Sequence, residues 1–542
     1  MAKRGTALTR RQALALITAG PLAAAGCSFR RSGTGSAASA DVLRVALLAE
    51  PGTFDPAKVP DLVTAEMLSH VAEPLIRYTA DNKPGACLAQ GWEISTDRLV
   101  YTFHLRQGAR FSNGDPLTAN DVKASWERAL SPKTIAPIAP NYLAGVVGVS
   151  DIVAGRSAHL AGVEALDSST LRVTLDHPRS YFLGMVSYPT NFVLSSRSMA
   201  EAGNRIDQHT LCGTGPYTLQ SYEPGVMVRL KANADYWGGP PRLRGIDMPV
   251  MLNPDTIINN FHANSIDMWN VQIPFSRYAQ DEAAHRYPGE YHLEPMASID
   301  YFVMHPKLQP VFADPRVRRA FAGAIDVDQI LRVAYLGVAL PPHGMVPDAL
   351  AGGATPPPVI AYDPVAARRL LAQAGFAGGK GFPRVALVTL EDSPPFIQAC
   401  QIAAAGLQAN LGISVDLQVR EAAQFWADQD NQTIPFYFTG WVADYPDLQD
   451  FLSALFVSHA PINRVGYANS AFDALCRKAD GEPDGPNRVR LYARANAVLM
   501  QDVGVLPVAQ EPRIVLARSN VHGWQINLCN YLPDTATYKT SS

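Results

Sequence analysis

The stretch LAQGWEISTDRLVYTFHLRQGARFSNGDPLTANDV, Leu88 to Val122, carries the strongest structural pattern in the chain. From Tyr101 to Arg106 large apolar residues alternate with polar ones, which predicts a half-buried strand. Thr118 and Asp121 have the spacing of a capping box. The residues that then share one helical face are Val122, Trp126, Ala129 and Leu130. The stretch therefore predicts a strand followed by a capped helix that ends before Pro132.

Helix and strand patterns alternate in the second half of the chain. Asp314-Pro315 and Asp363-Pro364 each place a capping acid before a proline at the first helical position. A further helical pattern around Cys400 stops at Gly412, and an alternating strand pattern from Ile413 to Val419 follows at once. Helix followed directly by strand is typical of an α/β layer. We therefore expect an α/β fold.

Residues 1–27 have the composition of an export signal. The first eleven residues include four basic side chains and no acid, and the apolar run Ala13 to Gly26 has fourteen residues. A membrane-spanning helix needs about 20, so this run is too short to cross a bilayer. The small residues before Cys27 resemble a bacterial lipobox, in which the cysteine receives lipid, although Ala24 replaces the usual leucine. The alternative is a secreted protein cleaved near Ala25 with an incidental Cys27.

Two further features follow from the same region. The segment Thr9 to Leu14 resembles a twin-arginine signal, and the alternative is an ordinary basic head that contains two arginines. Residues 28–40 are small and polar, which predicts a flexible tether. We therefore expect export to the periplasm or the outer face of the cytoplasmic membrane, with a lipid anchor at Cys27.

Charge and motif content exclude several classes of function. Removal of residues 1–26 takes away four positive charges and shifts the formal net charge from −3 to −7. A mildly acidic chain without a basic run does not predict nucleic-acid binding. GxSxG, HExxH, Walker-type and post-strand GxGxxG patterns are absent, and no histidine pair has metal spacing. We therefore predict no enzyme activity, no metal site and no cofactor, with the five cysteines after Cys27 mostly as buried free thiols.

The stretch Leu88 to Val122 resembles the signature of the extracellular solute-binding proteins of family 5, the peptide- and nickel-type receptors of ABC importers. Further blocks that resemble the family follow in order, among them Gly213 to Tyr217, Asp314 to Arg318 and Gly440 to Asp447. The resemblance covers residues 41–530. It implies a receptor that captures peptides in a cleft and delivers them to the transmembrane subunits of an ABC permease, as a monomer.

The resemblance also implies a domain organisation. The family fold is the two-lobed type II periplasmic binding protein fold of the larger cluster, with hinge-connected lobes and an extra subdomain inserted in lobe I. Carried onto this chain, lobe I would use residues 41–76, 206–298 and 508–542. The inserted subdomain would be 77–205, and lobe II 299–507. The crossings would lie near Ile299 to His305 and Leu506 to Gln510, with ligand in the cleft between the lobes.

The resemblance places the ligand site in residues 440–447. In peptide-binding members this segment pairs with an extended peptide through main-chain hydrogen bonds, and Asp444 matches the carboxylate that holds the peptide's α-ammonium. The alternative for Asp444 is a turn residue that bonds its own backbone. The full set of predicted ligand-binding residues is Asp444, Trp441, Gly440, Val442, Tyr445, Tyr301 and Val59.

One departure from the family leaves the ligand open. Some peptide receptors carry a basic residue shortly before this motif, whereas Phe436 to Phe438 is wholly apolar here. Arg316 or Arg464 would then meet the ligand's carboxylate, or the ligand has no carboxylate at that spot. The alternatives are an oligosaccharide, a metal chelate or another small solute in the same fold. A remoter alternative is an exported hydrolase that uses Asp444 and Asp447.

Overall fold

The computed structural model describes residues 41–271, 284–351, 361–391, 393–529 and 535–540. The predicted export signal at 1–27, with Cys27, and the tether at 28–40 lie outside the described residues. The strands are β1 Val42–Arg44, β2 Ile76–Tyr78, β3 Pro84–Ala86, β4 Ala89–Ile94, β5 Val100–Leu105, β6 Val163–Ala165, β7 Thr170–Thr174, β8 Tyr217–Glu223, β9 Met227–Ala232, β10 Gly245–Pro249, β11 Met268–Val271, β12 Tyr291–Glu294, β13 Ser298–Met304, β14 Val385–Leu390, β15 Val415–Arg420, β16 Phe436–Val442, β17 Val505–Ala509, β18 Arg513–Ala517, β19 Val521–His522 and β20 Tyr538–Lys539.

Helices lie between most of these strands. They are α1 Leu62–Ser69, α2 Ala119–Leu130, α3 Ala139–Tyr142, α4 Val149–Val153, α5 Phe182–Ser187, α6 Ser196–Glu201, α7 Pro254–His262, α8 Pro315–Ala324, α9 Val327–Val333, α10 Pro364–Gln373, α11 Pro394–Leu411, α12 Ala422–Asp430, α13 Leu448–Phe451, α14 Ser453–Phe456, α15 Ser470–Gly481 and α16 Pro486–Gln501, with 3-10 turns at Pro56–Lys58, Pro189–Asn191, Pro310–Ala313 and Ala377–Gly379. No helix in the described part of the chain combines the length and the apolar character that crossing a membrane requires.

Two sheets draw their strands from distant parts of the chain. One has the order β1-β10-β9-β8 and the other β11-β18-β12. Strand β1 pairs in parallel with β10, and β18, near the C-terminus, pairs with both β11 and β12. Because the chain leaves this region and returns to it, these two sheets form a body that is discontinuous in sequence.

The stretch Leu88 to Val122 builds a separate sheet and the helix that covers it. Strands β4-β5-β7-β6 are antiparallel neighbours, and β5 buries Tyr101, Phe103 and Leu105. Helix α2 starts as the capping box predicts, since the Thr118 N–H donates to the Asp121 carboxylate at 2.8 Å. Trp126 of α2 is fully buried in the same core as Phe103. The predicted strand and capped helix are confirmed.

A five-stranded sheet with the order β15-β14-β16-β13-β17 forms the remaining body. Helix α11 precedes β15 and ends at Gly412, whose φ of 73° is the left-handed conformation that a glycine adopts without strain. Helices α8 and α10 begin at the predicted Asp-Pro pairs, with the aspartate as N-cap in each. This mixed sheet with its helices confirms the predicted α/β class.

The predicted crossings coincide with two neighbouring buried strands of that sheet. Every residue of β13 and of β17 is buried, and the two pair in antiparallel register with an irregularity between Asp300 and Tyr301. The strand β13 starts at Ser298 and β17 ends at Ala509, within two residues of the predicted lobe limits. The domain limits themselves stay a prediction.

The glycine-rich segment Gly213 to Pro216 packs against the chain just after α1. A Cβ on Gly213 would stand 2.2 Å from the Val71 carbonyl oxygen, and one on Gly215 would stand 2.4 Å from the His70 carbonyl oxygen. Only glycine permits this approach of two backbones. The two glycines therefore allow this segment to pack closely against the chain after α1.

The five described cysteines are buried free thiols, as predicted.

Candidate ligand-binding site

The strand β16 carries the first half of the predicted site. It lies between β13, which pairs with it from Phe436 to Val442, and the parallel strand β14. In the parallel pairing Val388 of β14 lies beside Tyr437 of β16. Strand β14 ends two residues later, so its last residue lies beside Thr439. Residues 440–442 extend beyond it, and no strand of the described ranges pairs with that edge. The main-chain groups of this edge are available to an added strand.

The turn after β16 is held by a second acid, Asp450 of α13. The Asp450 carboxylate accepts the Asp444 N–H at 2.9 Å and the Trp441 indole N–H at 3.1 Å. Helix α13 is capped by Asp447, which accepts the Gln449 N–H at 2.8 Å. The Arg488 guanidinium donates two hydrogen bonds to the Asp447 carboxylate, at 2.7 and 2.8 Å. These contacts hold the backbone of the turn that carries Asp444.

Asp444 receives a hydrogen bond from the Tyr142 hydroxyl, which belongs to α3, 302 positions earlier. Tyr142 stacks on Tyr188 with ring centroids 3.9 Å apart. Both rings belong to a small apolar cluster with Tyr181, Met185 and Tyr445. Sequence reasoning missed Tyr142, because its contact joins segments 77–205 and 299–507 and no local pattern signals it.

Segments 77–205 and 299–507 also touch at the rim of this site. The Ser180 N–H donates to the Asp480 carbonyl at 3.1 Å, and Arg98 Nη2 donates to the Gly481 carbonyl at 2.5 Å. Tyr445 packs so closely on Gly184 that a Cβ there would stand 2.6 Å from its ring. Residues of these two segments are therefore in direct contact in the structure.

A cavity of about 70 Å³ lies next to Asp444. Its wall is formed by Ala65, Glu66, Ser69, Ala72, Glu73, Pro74, Arg77, Tyr78, Ser187, Pro189, Phe192, Asp444, Tyr445, Pro446, Asn527 and Cys529. The cavity joins Asp444 and Tyr445, which the sequence predicts, to α1 and the turn after it, which the sequence does not single out.

Burial governs the electrostatics of the two acids. It raises the pKa of Asp444 to about 7, although the Tyr142 hydrogen bond and the charge of Arg464 act in the opposite direction. Burial also raises the pKa of Asp450 well above its ordinary value, and the neighbouring Asp444 charge raises it further. Within the described ranges, no basic side chain forms an ion pair with either carboxylate. Two close acids without a cation make a site that favours a positively charged ligand group.

The raised pKa predicts how Asp444→Asn changes the stability of the ligand-free protein. Asp444 titrates near 3.8 when unfolded and near 7 when folded, so the folded state holds a proton that the unfolded state releases between these values. Its contribution to the free energy of unfolding therefore falls as pH rises from 4 to 7. Asparagine does not ionise, so we expect the variant to be about 1–3 kcal/mol more stable than the parent at pH 8.

Urea denaturation at pH 5 and pH 8 measures this effect. At pH 5 the difference should be clearly smaller than at pH 8, because the folded parent still holds its proton at pH 5 and only the unfolded state has released it. Asp416→Asn, on the exposed side of β15, is the matched control and should show no such difference. A variant less stable than the parent at pH 8 would show that Asp444 is not held under a desolvation penalty.

The other predicted residues occupy different positions. Gly440 and Val442 lie on β16, and Trp441 packs with its partly buried ring against the core. Gly440 is one of the predicted ligand-binding residues, but a Cβ at this position would stand 2.3 Å from Asp300 Oδ1. Its missing side chain therefore makes room for the buried Asp300 carboxylate, which accepts the Tyr335 hydroxyl at 2.6 Å.

Tyr301 and Val59 do not line the cavity. Tyr301 lies on β13 opposite Thr439 and is 5% exposed. Val59 is fully buried in the core that contains β1, after a 3-10 turn. Both are packing residues in this structure, and their contact with ligand stays a prediction.

The two arginines considered for a ligand carboxylate lie elsewhere. Arg316 bonds Asp314 and the Gln373 carbonyl at the exposed start of α8. Arg464 forms an ion pair with Asp430 at 2.6 Å. Neither lines the cavity, whereas Arg77 does. In the described part of the chain no cluster of three histidine, cysteine or acidic side chains could hold a metal ion.

Fold and site together define a two-lobed solute-binding protein, and comparisons with known proteins agree. The family model of the bacterial extracellular solute-binding proteins, family 5 (middle region), matches residues 83–461 of this chain. The chain belongs to this family.

Three relatives show how far the similarity extends. The periplasmic oligopeptide-binding protein OppA of Escherichia coli is 27% identical over 513 residues, covering 91% of this chain and 93% of OppA. The murein tripeptide binding protein MppA of E. coli has the same fold, with a TM-score of 0.82 at 23% identity, covering 92% and 99% of the two chains. The ABC transporter-associated periplasmic binding protein DppA of Helicobacter pylori, solved with the peptide STSA, gives a TM-score of 0.79 at 25% identity, covering 92% and 98%.

Proposed function

We propose that this chain is the substrate-binding lipoprotein of an ABC importer, which captures peptides by their free α-amino group and delivers them to a membrane permease. The observation that carries the proposal is the Asp444–Asp450 pair, which lies beside a cavity without a basic partner among the described residues. An α-ammonium placed there would offset the cost of the buried carboxylate charge. The hydrogen bond from Tyr142 would remain compatible, because a carboxylate accepts several donors.

The unpaired edge of β16 supports the same proposal. A peptide whose ammonium lies at Asp444 would run back along residues 440–442 and add a strand to the sheet. Such pairing uses main-chain groups alone, so it places few demands on the ligand's side chains. OppA is named for oligopeptides, MppA for a murein tripeptide, and DppA was solved with the peptide STSA, so the ligands of these relatives are peptides as well.

The remoter alternative, a hydrolase that uses Asp444 and Asp447, has less support. Asp447 is engaged by the two Arg488 bonds and by the cap of α13, so it is not available as a proton donor or base. A neutral oligosaccharide in the same cleft would leave Asp444 without the cation that its surroundings favour.

Native mass spectrometry of freshly purified protein tests the proposal, because a closed cleft retains ligand. We expect peptide masses that disappear on denaturation. Titration with a free tripeptide, its N-acetylated form, an oligosaccharide and a nickel chelate follows by calorimetry. Binding of the free tripeptide alone supports the proposal, and binding of the sugar or the chelate alone would replace it. Release of a cleaved peptide would favour the hydrolase.

We also propose lipidation of Cys27 and a tether at 28–40, which would keep the receptor near its permease. Metabolic labelling with palmitate should mark the parent and not Cys27→Ala. Label retained by the variant would contradict the anchor, and an unlabelled parent found free in the periplasm would support simple secretion. Replacing Arg10 and Arg11 by lysine should block export only if the twin-arginine route is used.

A further inference from the structure

The cavity beside Asp444 has a wall of markedly apolar character. Its apolar members are Ala65, Ala72, Pro74, Tyr78, Pro189, Phe192, Tyr445 and Pro446. They come from α1 and the turn after it, from β2, from a 3-10 turn, and from the turn after β16. Asp444 belongs to this wall, and it lies two residues after the end of β16, along whose edge the peptide is proposed to lie.

The strongest polar group of the wall, Glu73, is already fully engaged. Its carboxylate accepts the Tyr236 hydroxyl at 2.7 Å, the Trp237 indole N–H at 2.7 Å and the Thr214 hydroxyl at 3.0 Å. It also forms the ion pair with Arg77. Arg77 in turn donates to the Cys87 sulfur at 2.9 Å. The charges of Glu73 and Arg77 therefore offset each other.

The smaller polar groups of the wall are engaged as well. The Ser69 hydroxyl donates to the Glu66 carbonyl at 2.7 Å, and the Ser187 hydroxyl donates to the Gly184 carbonyl at 2.7 Å. Asn527 accepts the Cys529 N–H at 3.0 Å. Apart from the carboxylates of Asp444 and Glu66, a ligand group that enters this cavity would meet few polar atoms with unused capacity, and burying a polar ligand group there would carry a desolvation cost.

The size of the cavity fits one side chain and not a whole peptide. About 70 Å³ corresponds to roughly five water-sized groups. A branched aliphatic side chain has three or four heavy atoms. An indole would exceed the space unless the wall moved.

We propose that this cavity takes the side chain of the peptide's first residue and selects aliphatic side chains of about the size of valine to leucine. The inference rests on the proposed function, since Asp444 must hold the α-ammonium. The same Cα carries the ammonium and the first side chain, so a group that enters the cavity next to Asp444 belongs to the first residue. Acidic first residues are disfavoured, because their carboxylate would lie near the carboxylates of Asp444 and Glu66.

The test is a calorimetric series of tripeptides that differ only at the first position: Leu-Ala-Ala, Ala-Ala-Ala, Asn-Ala-Ala and Asp-Ala-Ala, with Ala-Leu-Ala as positional control. Leu-Ala-Ala should bind about 10- to 100-fold more tightly than Ala-Ala-Ala, since it buries about three more carbons. Asn-Ala-Ala, which has nearly the shape of Leu-Ala-Ala, should lose this gain. Ala-Leu-Ala should not show it.

A variant tests whether the preference for a leucine first residue arises at this cavity. Ala65→Leu fills the space from α1, so in this variant Leu-Ala-Ala should bind no more tightly than Ala-Ala-Ala. Ala200→Leu, on the exposed side of α6, is the control. Equal affinities across the series, or a gain that follows leucine to the second position, would overturn the inference and leave the peptide function standing. If none of the free peptides binds, both fail. The parent series decides the question even if Ala65→Leu does not fold.

Discussion

Asp444→Ala is expected to weaken binding of a peptide with a free N-terminus by roughly 30- to 1000-fold, about 2–4 kcal/mol. The variant would leave the ligand's ammonium in the cleft beside Asp450 alone, and burial disfavours the charged form of that carboxyl by raising its pKa well above the ordinary value. Removing one partner of a desolvated charge pair costs more than the pair is worth, because the other charge stays unpaired. The Tyr142 hydroxyl would remain, but it cannot supply the missing charge.

Calorimetry at pH 8 measures this loss, because Asp444, with a pKa of about 7, is then ionised. An N-acetylated peptide should bind the parent weakly, and Asp444→Ala should weaken its binding little further. Below pH 7 the affinity of the parent for the free peptide should fall by about tenfold per pH unit, since the carboxyl must release its proton to pair with the ammonium. Asp416→Asn should bind as the parent does. Unchanged affinity in Asp444→Ala would remove this residue from the site.

The sequence predicts the fold well where the pattern is local. The alternation in Tyr101 to Arg106 and the capping box at Thr118 depend on neighbours within a few residues, and both appear in the structure as β5 and α2. The Asp-Pro starts of α8 and α10 are local in the same sense. Such patterns reflect backbone hydrogen bonding and one-sided burial, which the sequence shows directly.

The site is predicted less completely, because its contacts join distant segments. Asp444 lies beside the cavity, as the resemblance implies, but its partner Tyr142 is 302 positions away and Asp450 carries no motif. Gly440 looks like an opening for ligand until its neighbour Asp300 on β13 is known. A residue that lines a cavity and a residue that fills a core have the same apolar signature, so Val59 cannot be told from core by pattern alone.

Loss of Glu73 should lower the stability of the protein strongly. It is 1% exposed and bonds Arg77, Tyr236, Trp237 and Thr214. These partners come from β2, from the glycine-rich segment and from the chain after β9, so one carboxylate ties three distant segments together. Glu73→Ala would leave the guanidinium of Arg77 without its counter-ion and three buried donors without an acceptor. We expect a loss of about 3–5 kcal/mol in the free energy of unfolding.

Urea denaturation followed by tryptophan fluorescence measures the loss, and a double-mutant cycle assigns it. Glu93→Ala, an exposed acid on β4, should change stability little and is the control. Glu73→Gln keeps acceptor capacity and loses the charge, so it should fall between parent and alanine variant. Adding Arg77→Met to Glu73→Ala removes the orphaned charge as well, so the double variant should be more stable than the sum of the single losses predicts. Strictly additive losses would instead show that Glu73 stabilises the fold through its hydrogen bonds with neutral donors. They would also show that the Arg77 guanidinium does not need Glu73 as its counter-ion.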